Sequence, residues 1–448
     1  MGKIGSSFTL LALVSVIGMT ACASGGTQPL GPQDGADSKS SAAESGPKDR
    51  NFQDPLKART VTFPASWQGG AGWWATTGPT AKAVFSVGNY TGYVETFVPD
   101  SGMSPSPDTN SGQGALVVVD GSGSRVYVSK QQTAFSVQGS SLSRISRNGK
   151  GYLVYIENGV SQGDPTSVAA DKATIASSVT VIDESGTVRF SKVLGPSESV
   201  FVGEDKAYQR GSRGGESDIN AVKDDSVRVS TTVKTGSSTY SVTKSQVMNI
   251  ENGALSPEPT LAGAKWVGNY DGVDLFRGVN GLTDGKWTAG VPGRVEKFGS
   301  LIQIVGWDHS DIYSAAPTSM CRVLNLHSGE PVTNLGVPDK ECLKIAVSSQ
   351  NGNYVAYSKY GSRDGGILNI AEDKVFPIVS AINFRPRGIN NSGDVYGVSD
   401  DSVAYFNMDE EESPKIEVGV NAAPYVIADS GLAAFSDDEE GTYFVVKQ

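Results

Sequence analysis

Residues 388–397 read Gly-Ile-Asn-Asn-Ser-Gly-Asp-Val-Tyr-Gly, and residues 426–435 read Val-Ile-Ala-Asp-Ser-Gly-Leu-Ala-Ala-Phe. In both stretches an apolar run enters a polar turn that contains Ser-Gly, and a second apolar run follows. Asn, Asp, Ser and Gly favour tight turns, because they tolerate left-handed backbone or hydrogen-bond to their own main chain. Each stretch therefore predicts two short strands joined as a β-hairpin.

The same arrangement recurs through the chain. Three more apolar runs end in a Ser-Gly turn, namely Leu116–Val119, Val179–Ile182 and Val323–Leu326. Gly-Asn-Tyr-Thr-Gly at 88–92 also resembles Gly-Asn-Tyr-Asp-Gly at 268–272, and the two lie 180 residues apart. That separation equals four repeats of about 45 residues, a length typical of a four-stranded repeat unit.

Short strands dominate the chain after about residue 52, and no stretch there has convincing helical periodicity. Val, Ile, Tyr and Phe runs bounded by Gly, Asn, Asp, Ser or Pro indicate strands. The clearest predicted strands are Ala115–Asp120, Arg125–Ser129, Gly151–Ile156, Val179–Asp183, Val188–Val193, Ser199–Val202, Leu301–Val305, Arg322–Leu326, Leu343–Ser348, Tyr354–Ser358 and Tyr443–Lys447. Nearly 400 residues of short strands are too many for one sandwich.

With these repeats, residues 52–448 resemble the β-propeller superfamily in its irregular bacterial secreted forms. The resemblance implies an all-β ring of about seven four-stranded blades, with eight as the alternative. We prefer seven because Gly203–Asp225 is polar and loop-like and reads as an insertion. We expect the strand Thr60–Phe63 to pair with Tyr443–Lys447 and close the ring, since an open ring leaves exposed strand edges.

The N-terminus carries an export signal. Lys3 precedes an apolar stretch from Phe8 to Met19, and Met19-Thr20-Ala21 stands directly before Cys22. The apolar stretch is too short to span a bilayer and ends in small residues, as a signal peptide does. The arrangement resembles the lipobox of bacterial lipoproteins, although Met19 replaces the usual Leu. The resemblance implies cleavage of residues 1–21 and a diacylglycerol thioether on Cys22; the alternative is an ordinary signal peptide that leaves a free thiol.

Residues 22–51 predict a disordered tether, because Leu30 is their one large apolar residue and such a segment cannot bury enough surface to offset its ordering entropy. The net charge is −11, or −12 once Lys3 is removed with the signal. An acidic chain without Lys or Arg runs argues against nucleic-acid binding. No later segment is long and apolar enough to predict a transmembrane helix, so we expect membrane attachment through Cys22.

Cys321 and Cys342 are the two other cysteines. In an exported protein such a pair predicts a disulfide, because the compartment is oxidising. The alternative is two buried thiols on unrelated strands.

Catalytic and metal-binding residues are scarce. The chain has two histidines, His309 and His327, and a hydrolase triad needs one well-placed imidazole. His309 lies beside Asp308 and Asp311, but we expect an exposed loop histidine there and a turn residue at His327. No spacing predicts zinc, and no cofactor is expected. Structural calcium remains an alternative through the acidic runs at 409–412 and 437–440, neither of which follows a calcium-loop pattern.

Trp67, Trp73 and Trp74 form the densest aromatic patch and are candidate binding residues, since Trp is enriched at binding hot spots. The alternative, which we favour, is that they pack within the ring. The sequence thus predicts a lipid-anchored extracytoplasmic propeller that binds a protein or an envelope glycan. The alternative function is a glycan-active enzyme, a glycosidase or lyase, with an acid pair across the central channel.

Overall fold

The described part of the chain consists of β-strands and contains no α-helix. In this computed structural model it comprises residues 67, 74–75, 83–96, 114–130, 132, 134–161, 174–203, 224–234, 240–289, 293–306, 321–332, 343–359, 365–378, 384–399, 402–408, 415–417, 420, 422–437 and 441–446. Within these residues no helix is long and apolar enough to cross a membrane.

The strands of the described part form eight antiparallel sheets, and the first four are built from consecutive strands. Sheet 1 contains β2 (Val84–Val87), β3 (Tyr90–Thr96), β4 (Gly114–Val119) and β5 (Arg125–Val128). Sheet 2 contains β6 (Ser136–Arg147), β7 (Lys150–Ser161), β8 (Thr174–Asp183) and β9 (Val188–Val193). Sheet 3 contains β10 (Glu198–Val202), β11 (Val227–Lys234), β12 (Tyr240–Met248) and β13 (Leu255–Pro257). Sheet 4 has three strands, β14 (Lys265–Tyr270), β15 (Val273–Gly278) and β16 (Gly281–Thr283).

The remaining sheets follow the same order along the chain, except that the last one takes a strand from the N-terminal side. Sheet 5 contains β17 (Gly293–Phe298), β18 (Leu301–Gly306) and β19 (Cys321–Asn325). Sheet 6 contains β20 (Leu343–Ser348), β21 (Tyr354–Lys359), β22 (Gly365–Asn369) and β23 (Lys374–Ile378). Sheet 7 contains β24 (Phe384–Ile389), β25 (Val395–Ser399), β26 (Ser402–Phe406) and β27 (Lys415–Glu417). Sheet 8 contains β28 (Pro424–Ile427), β29 (Leu432–Asp437), β30 (Gly441–Val446) and β1 (Trp74–Ala75).

Each sheet packs between its two neighbours. This packing on both faces explains why the sequence of β4 is apolar at nearly every position. Val117 and Val119 point to one side of sheet 1, into a core shared with sheet 8. Leu116 and Val118 point to the other side, into a core shared with sheet 2. Successive strand residues face opposite sides of a sheet, so a strand covered on both sides needs apolar residues at both. This packing of sheet faces around a ring is that of a β-propeller, and the predicted fold class is confirmed.

Apolar clusters join most neighbouring sheets in this way, but polar groups join sheets 3 and 4. Asp224, with a fully buried side chain, forms an ion pair with Arg228 at 3.0 Å. Arg228 also donates to the carbonyl of Val267 at 2.6 Å and stacks over the ring of Trp266. Burial raises the pKa of Asp224 to about 6, against the lowering influence of Arg228 and Ser226.

The predicted strands and turns agree closely with the structure. All eleven predicted strands are present, with β7 and β8 longer than expected. The stretches 388–397 and 426–435 form the β24–β25 and β28–β29 hairpins. The Ser-Gly turns after Val119, Ile182 and Leu326 each follow the third strand of their sheet. The Ser-Gly motif therefore marks hairpin turns, but it occurs both after first strands and after third strands and does not mark strand order.

Two sequence interpretations need revision. The Gly-Asn-Tyr motifs are not equivalent, because Gly88 and Asn89 form a turn whereas Gly268–Tyr270 belong to β14. They also lie three sheets apart rather than four, since the long strands of sheet 2 and the insertion in sheet 3 lengthen those repeats. The described strands form eight sheets, whereas we preferred seven blades with eight as the alternative; the number of blades in the whole chain stays a prediction.

The predicted closing strand Thr60–Phe63 lies outside the described residues. Among the described residues, Trp74 pairs with Phe444 and Ala75 with Tyr443. The last sheet thus combines strands from both ends of the chain. Of the predicted insertion, Gly203, Asp224 and Asp225 are described, and residues 204–223 lie outside.

Candidate functional site

A cavity of about 190 Å³ lies where the first strands of the sheets converge, and residues from all eight sheets line it. The lining includes the ends of β6, β20, β24 and β28 and the hairpin turns that follow several first strands. Five charged side chains border it: Arg144, Asp225, Asp271, Lys297 and Arg387. This concentration of charge at the ring centre makes the cavity the candidate functional site.

On one side of the cavity, Asp225 and Lys297 form a buried ion pair with 2.5 Å between Nζ and Oδ2. Asp225 also accepts the backbone N–H of Ser146 at 2.9 Å and that of Asp271 at 2.7 Å. Lys297 donates further to the hydroxyl of Ser146. These contacts join sheets 2, 3, 4 and 5, and they occupy both carboxylate oxygens of Asp225. We therefore assign this pair a structural role.

On the other side, Arg144 reaches from β6 toward sheet 6. Its Nη2 donates to the carbonyl of Gln350, which lies 206 residues away in sequence. Burial lowers the pKa of Arg144, while Asp225, Asp429 and Asp271 act to raise it; a guanidinium nevertheless stays protonated in proteins. Nε of Arg144 is buried without a hydrogen-bond partner within the described residues.

Gln350 also has a buried polar atom without a hydrogen-bond partner among the described residues. Its Nε2 donates to the carbonyl of Ile427 at 2.6 Å, which fixes the orientation of the amide. Its Oε1 is buried, and the described residues provide it with no donor. Nε of Arg144 and Oε1 of Gln350 are thus one donor and one acceptor that the protein encloses, without a hydrogen-bond partner among the described residues.

The turns around this cavity are linked to each other. The backbone N–H of Asn351 donates to Oδ1 of Asn391 at 2.8 Å, and the side chain of Asn391 donates to Asp429. The backbone N–H of Asp429 donates to the carbonyl of Gly88 at 3.1 Å. Gly88 has a φ of +56°, and a Cβ there would lie 2.7 Å from the carbonyl of Glu184, so glycine is required. These bonds connect sheets 6, 7, 8 and 1. They lie on the face of the ring that carries the turns between first and second strands, called the turn face below.

Trp67 lies in the core, with 2% of its surface exposed. Its ring makes edge contacts with Tyr396, at 6.3 Å between centroids, and with Phe435, at 5.7 Å. It also borders a second cavity of about 320 Å³, formed with the β24–β25 and β28–β29 turns. Trp67 therefore packs in the core, as favoured above, and the candidate binding role of Trp67, Trp73 and Trp74 stays a prediction. Trp74 belongs to β1, and Trp73 lies outside the described residues.

Cys321 begins β19, is buried and is disulfide-bonded. Cys22 and Cys342 lie outside the described residues, so lipidation of Cys22 and pairing of Cys321 with Cys342 stay predictions. Val323, on the same face of β19 as Cys321, packs in one cluster with Leu343.

His327 has no catalytic setting among the described residues. His327 lies in the turn after β19, where its N–H donates to Oδ1 of Asn325 at 2.9 Å. Its exposed ring lies 3.9 Å from Asp271. His309 and the acidic run at 409–412 lie outside the described part, as do residues 438–440. Within that part, no group of three or more His, Cys, Asp or Glu is placed to hold a metal ion.

No family model and no curated protein matches the chain. Among solved structures, it is similar to the Swd1 β-propeller domain of Myceliophteria thermophila, with 9% identity, a TM-score of 0.35 and coverage of 84% of this chain and 99% of that one. It is also similar to a chain of a mitotic checkpoint complex, with 10% identity, a TM-score of 0.33 and coverage of 94% and 98%. At such scores the likenesses add nothing to the sheet arrangement, which identifies the fold by itself.

Sequence reasoning did not find the cavity residues. Arg144 lies in an ordinary strand, Ser-Leu-Ser-Arg-Ile-Ser-Arg, and Lys297 in another. The one available signal was the pair Asp224-Asp225, which ends the polar insertion and precedes β11. Adjacent acids in a loop are usually solvated, but both of these side chains are buried.

Proposed function

We propose that this chain is a lipid-anchored extracytoplasmic β-propeller that works as an interaction scaffold at the cell envelope. The lipobox at Cys22 supports the anchor, and the polar segment 22–51 supports a tether between membrane and ring. Its partner is a protein or an envelope glycan. The observation that carries the binding role is the difference in connection length between the two faces of the ring.

The turns between first and second strands lie on one face, because Gly149, Asp271, Gly299 and Asn351 all border the central cavity. Most of these turns are only a few residues long. In an antiparallel sheet, the connections between second and third strands leave from the opposite face. Three of these are long, at residues 97–113, 162–173 and 307–320. Long loops on a rigid scaffold commonly carry recognition.

The long connections provide the test of the binding role. Residues 307–320 are replaced by a short Gly-Ser linker, and the partner is captured by in-cell cross-linking and identified by mass spectrometry. We expect the replacement to remove the cross-linked partner and to leave the melting temperature nearly unchanged. The same is expected for 97–113 or 162–173 if the partner spans the face.

The matched control replaces residues 204–223 with the same linker. This segment is of comparable length but connects first and second strands of sheet 3, so it leaves from the turn face. It should retain the partner. Full retention of cross-links in all three loop variants would overturn the proposed interaction face.

The anchor is tested separately with Cys22→Ser. Burial of acyl chains contributes about 0.8 kcal/mol per CH₂, and a single chain holds only weakly. We expect the wild-type protein to fractionate with membranes and to incorporate a labelled fatty acid, and the variant to do neither. A variant that stays in the membrane fraction would show that another segment holds the protein.

A further inference from the structure

The chain contains five Asn-Gly dipeptides, at 148–149, 158–159, 252–253, 280–281 and 351–352, and all five asparagines are exposed. Spontaneous deamidation is fastest at Asn-Gly, because glycine has no side chain to hinder attack of its backbone nitrogen on the asparagine amide. The attack requires that the asparagine side chain can turn toward the glycine and that the glycine nitrogen can leave its own contacts. Hydrogen bonds to either group therefore slow the reaction.

Two of these sites lie in turns that hold the glycine nitrogen. At 252–253, the glycine N–H donates to the carbonyl of Asn249 at 2.8 Å, and Oδ1 of the asparagine accepts the N–H of Ala254 at 3.0 Å. At 148–149, the glycine N–H donates to Oδ1 of Asp271 at 2.9 Å. Both nitrogens are thus bonded to neighbouring groups, and the attack there is slowed.

Two further sites hold the asparagine side chain as well as the backbone. At 351–352, the glycine N–H donates to the carbonyl of Ser349 at 3.0 Å, and Oδ1 of the asparagine accepts the N–H of Asn353 at 2.9 Å. At 158–159, both residues lie inside β7, which is paired with β6 on one side and β8 on the other. Oδ1 of that asparagine accepts the hydroxyl of Ser177 at 2.6 Å. Neither site can reach the reactive geometry without local unfolding.

The fifth site, Asn280-Gly281, is restrained only by the end of a short strand. Val279 and Asn280 form the two-residue turn between β15 and β16, and no described residue hydrogen-bonds to the Asn280 side chain. Val279 is 97% exposed, so the turn is not covered. Gly281 pairs with Gly278, but β16 is the outer strand of its sheet and pairs with β15 through three residues. Such a short edge opens at a lower free energy than the middle of a sheet.

We propose that Asn280 is a site of spontaneous deamidation. The backbone nitrogen of Gly281 bonds to Cγ of Asn280, and the amide nitrogen leaves with the N–H proton as ammonia, which closes a succinimide ring. Water then opens the ring to aspartate or isoaspartate, so one water is consumed for each ammonia released.

The position of Asn280 gives the modification a consequence. β15 and β16 are the second and third strands of their sheet, so their turn leaves from the face opposite the turn face, which also carries the three long connections. Deamidation therefore adds a carboxylate to the face proposed above for the partner. That consequence rests on the proposed function, whereas the reaction itself does not.

Peptide mapping by mass spectrometry tests the proposal on the full-length protein in detergent, after incubation in neutral buffer. We expect the peptide that contains Asn280 to gain the mass difference between NH₂ and OH at least tenfold faster than the peptides that contain the other four sites. Conversion of another Asn-Gly site at an equal or higher rate, or no conversion at Asn280, would overturn the proposal. This measurement needs no partner, so it decides the modification even if the proposed interaction face is wrong.

Two controls separate the fold from the local sequence. The same incubation in guanidinium chloride frees all five sites and should bring their rates within a few-fold of each other; a tenfold lead of Asn280 that persists there would overturn the structural explanation. Asn280→Gln keeps an amide but needs a larger, slower-forming ring. Ion exchange should therefore resolve an acidic form that accumulates in the wild type and not in Asn280→Gln. Its accumulation at the wild-type rate in this variant would overturn the assignment to Asn280.

Discussion

The two sides of the central cavity differ in how completely their polar atoms are satisfied. Around Asp225 and Lys297, two backbone N–H groups, a hydroxyl and an ammonium converge, and both carboxylate oxygens have donors. Around Arg144 and Gln350, one donor and one acceptor are buried without partners in the described chain. Both groups lie in the same ring centre and join distant sheets. A satisfied buried cluster holds the fold together, whereas each buried polar atom without a partner costs free energy.

The largest expected effect lies on the satisfied side. Lys297→Met removes the cation and leaves the Asp225 carboxylate buried without it. Breaking a buried pair in this way costs about 3–5 kcal/mol, so the free energy of unfolding in urea should fall by that amount. Lys286→Met, at an exposed lysine of the neighbouring sheet, should change it by less than ~0.5 kcal/mol. Equal effects of the two variants would contradict the structural role of the pair.

A covalent link is expected between the sheets that carry Lys297 and Gln350. If Cys22 is acylated, Cys342 is the only partner left for the disulfide-bonded Cys321. Peptide mapping without reductant should therefore recover a 321–342 linked peptide. Replacing both cysteines by Ser should lower stability by about 3 kcal/mol in the chain-entropy model. Recovery of Cys342 as a free thiol would disprove the pairing.

The next effect concerns Asp224. Its carboxylate accepts several hydrogen bonds, but its burial still costs free energy when it is ionised. Because burial raises the pKa of Asp224 to about 6, from ~3.9 in an unfolded chain, the folded state binds the proton more tightly. The contribution of Asp224 is thus most favourable below pH 4 and is lost as pH rises from 4 to 6, by about 3 kcal/mol.

Asp224→Asn imitates the protonated form and checks this pH dependence. The variant should match the wild type near pH 4 and gain stability relative to it by pH 8, as measured by urea unfolding across that range. A constant difference between the two proteins from pH 4 to pH 8 would show that Asp224 is ionised in the folded state throughout.

The smallest effect is expected on the unsatisfied side. Gln350→Leu removes the bond to Ile427, worth about 1 kcal/mol, but it also removes a buried acceptor that lacks a donor. The two changes oppose each other, so stability should stay within about 1 kcal/mol of the wild type in urea. A loss as large as that of Lys297→Met would show that the two sides of the cavity do not differ.

Sequence reasoning predicted local features well, because hairpins and strands depend on neighbouring residues. Asp120, for example, accepts the N–H groups of Ser122 and Ser124 within its own turn. It could not predict the cavity. Lys297 and Asp225 are 72 residues apart, and their meeting depends on how the sheets are arranged around the ring. Trp67 was ambiguous for the same reason, since its partners Tyr396 and Phe435 lie at the far end of the chain.

The pairing of Trp74 with Phe444 joins residues about 370 positions apart, which has a consequence for biosynthesis. Sheets 1 to 7 are each local in sequence and can form in order as the polypeptide is made. Sheet 8 must wait until residues 441–446 have been synthesised, so β1 lacks its strand partner during most of translation. Exposed edges pair readily with other chains, and the growing protein therefore needs chaperone protection of this edge until β30 has been made.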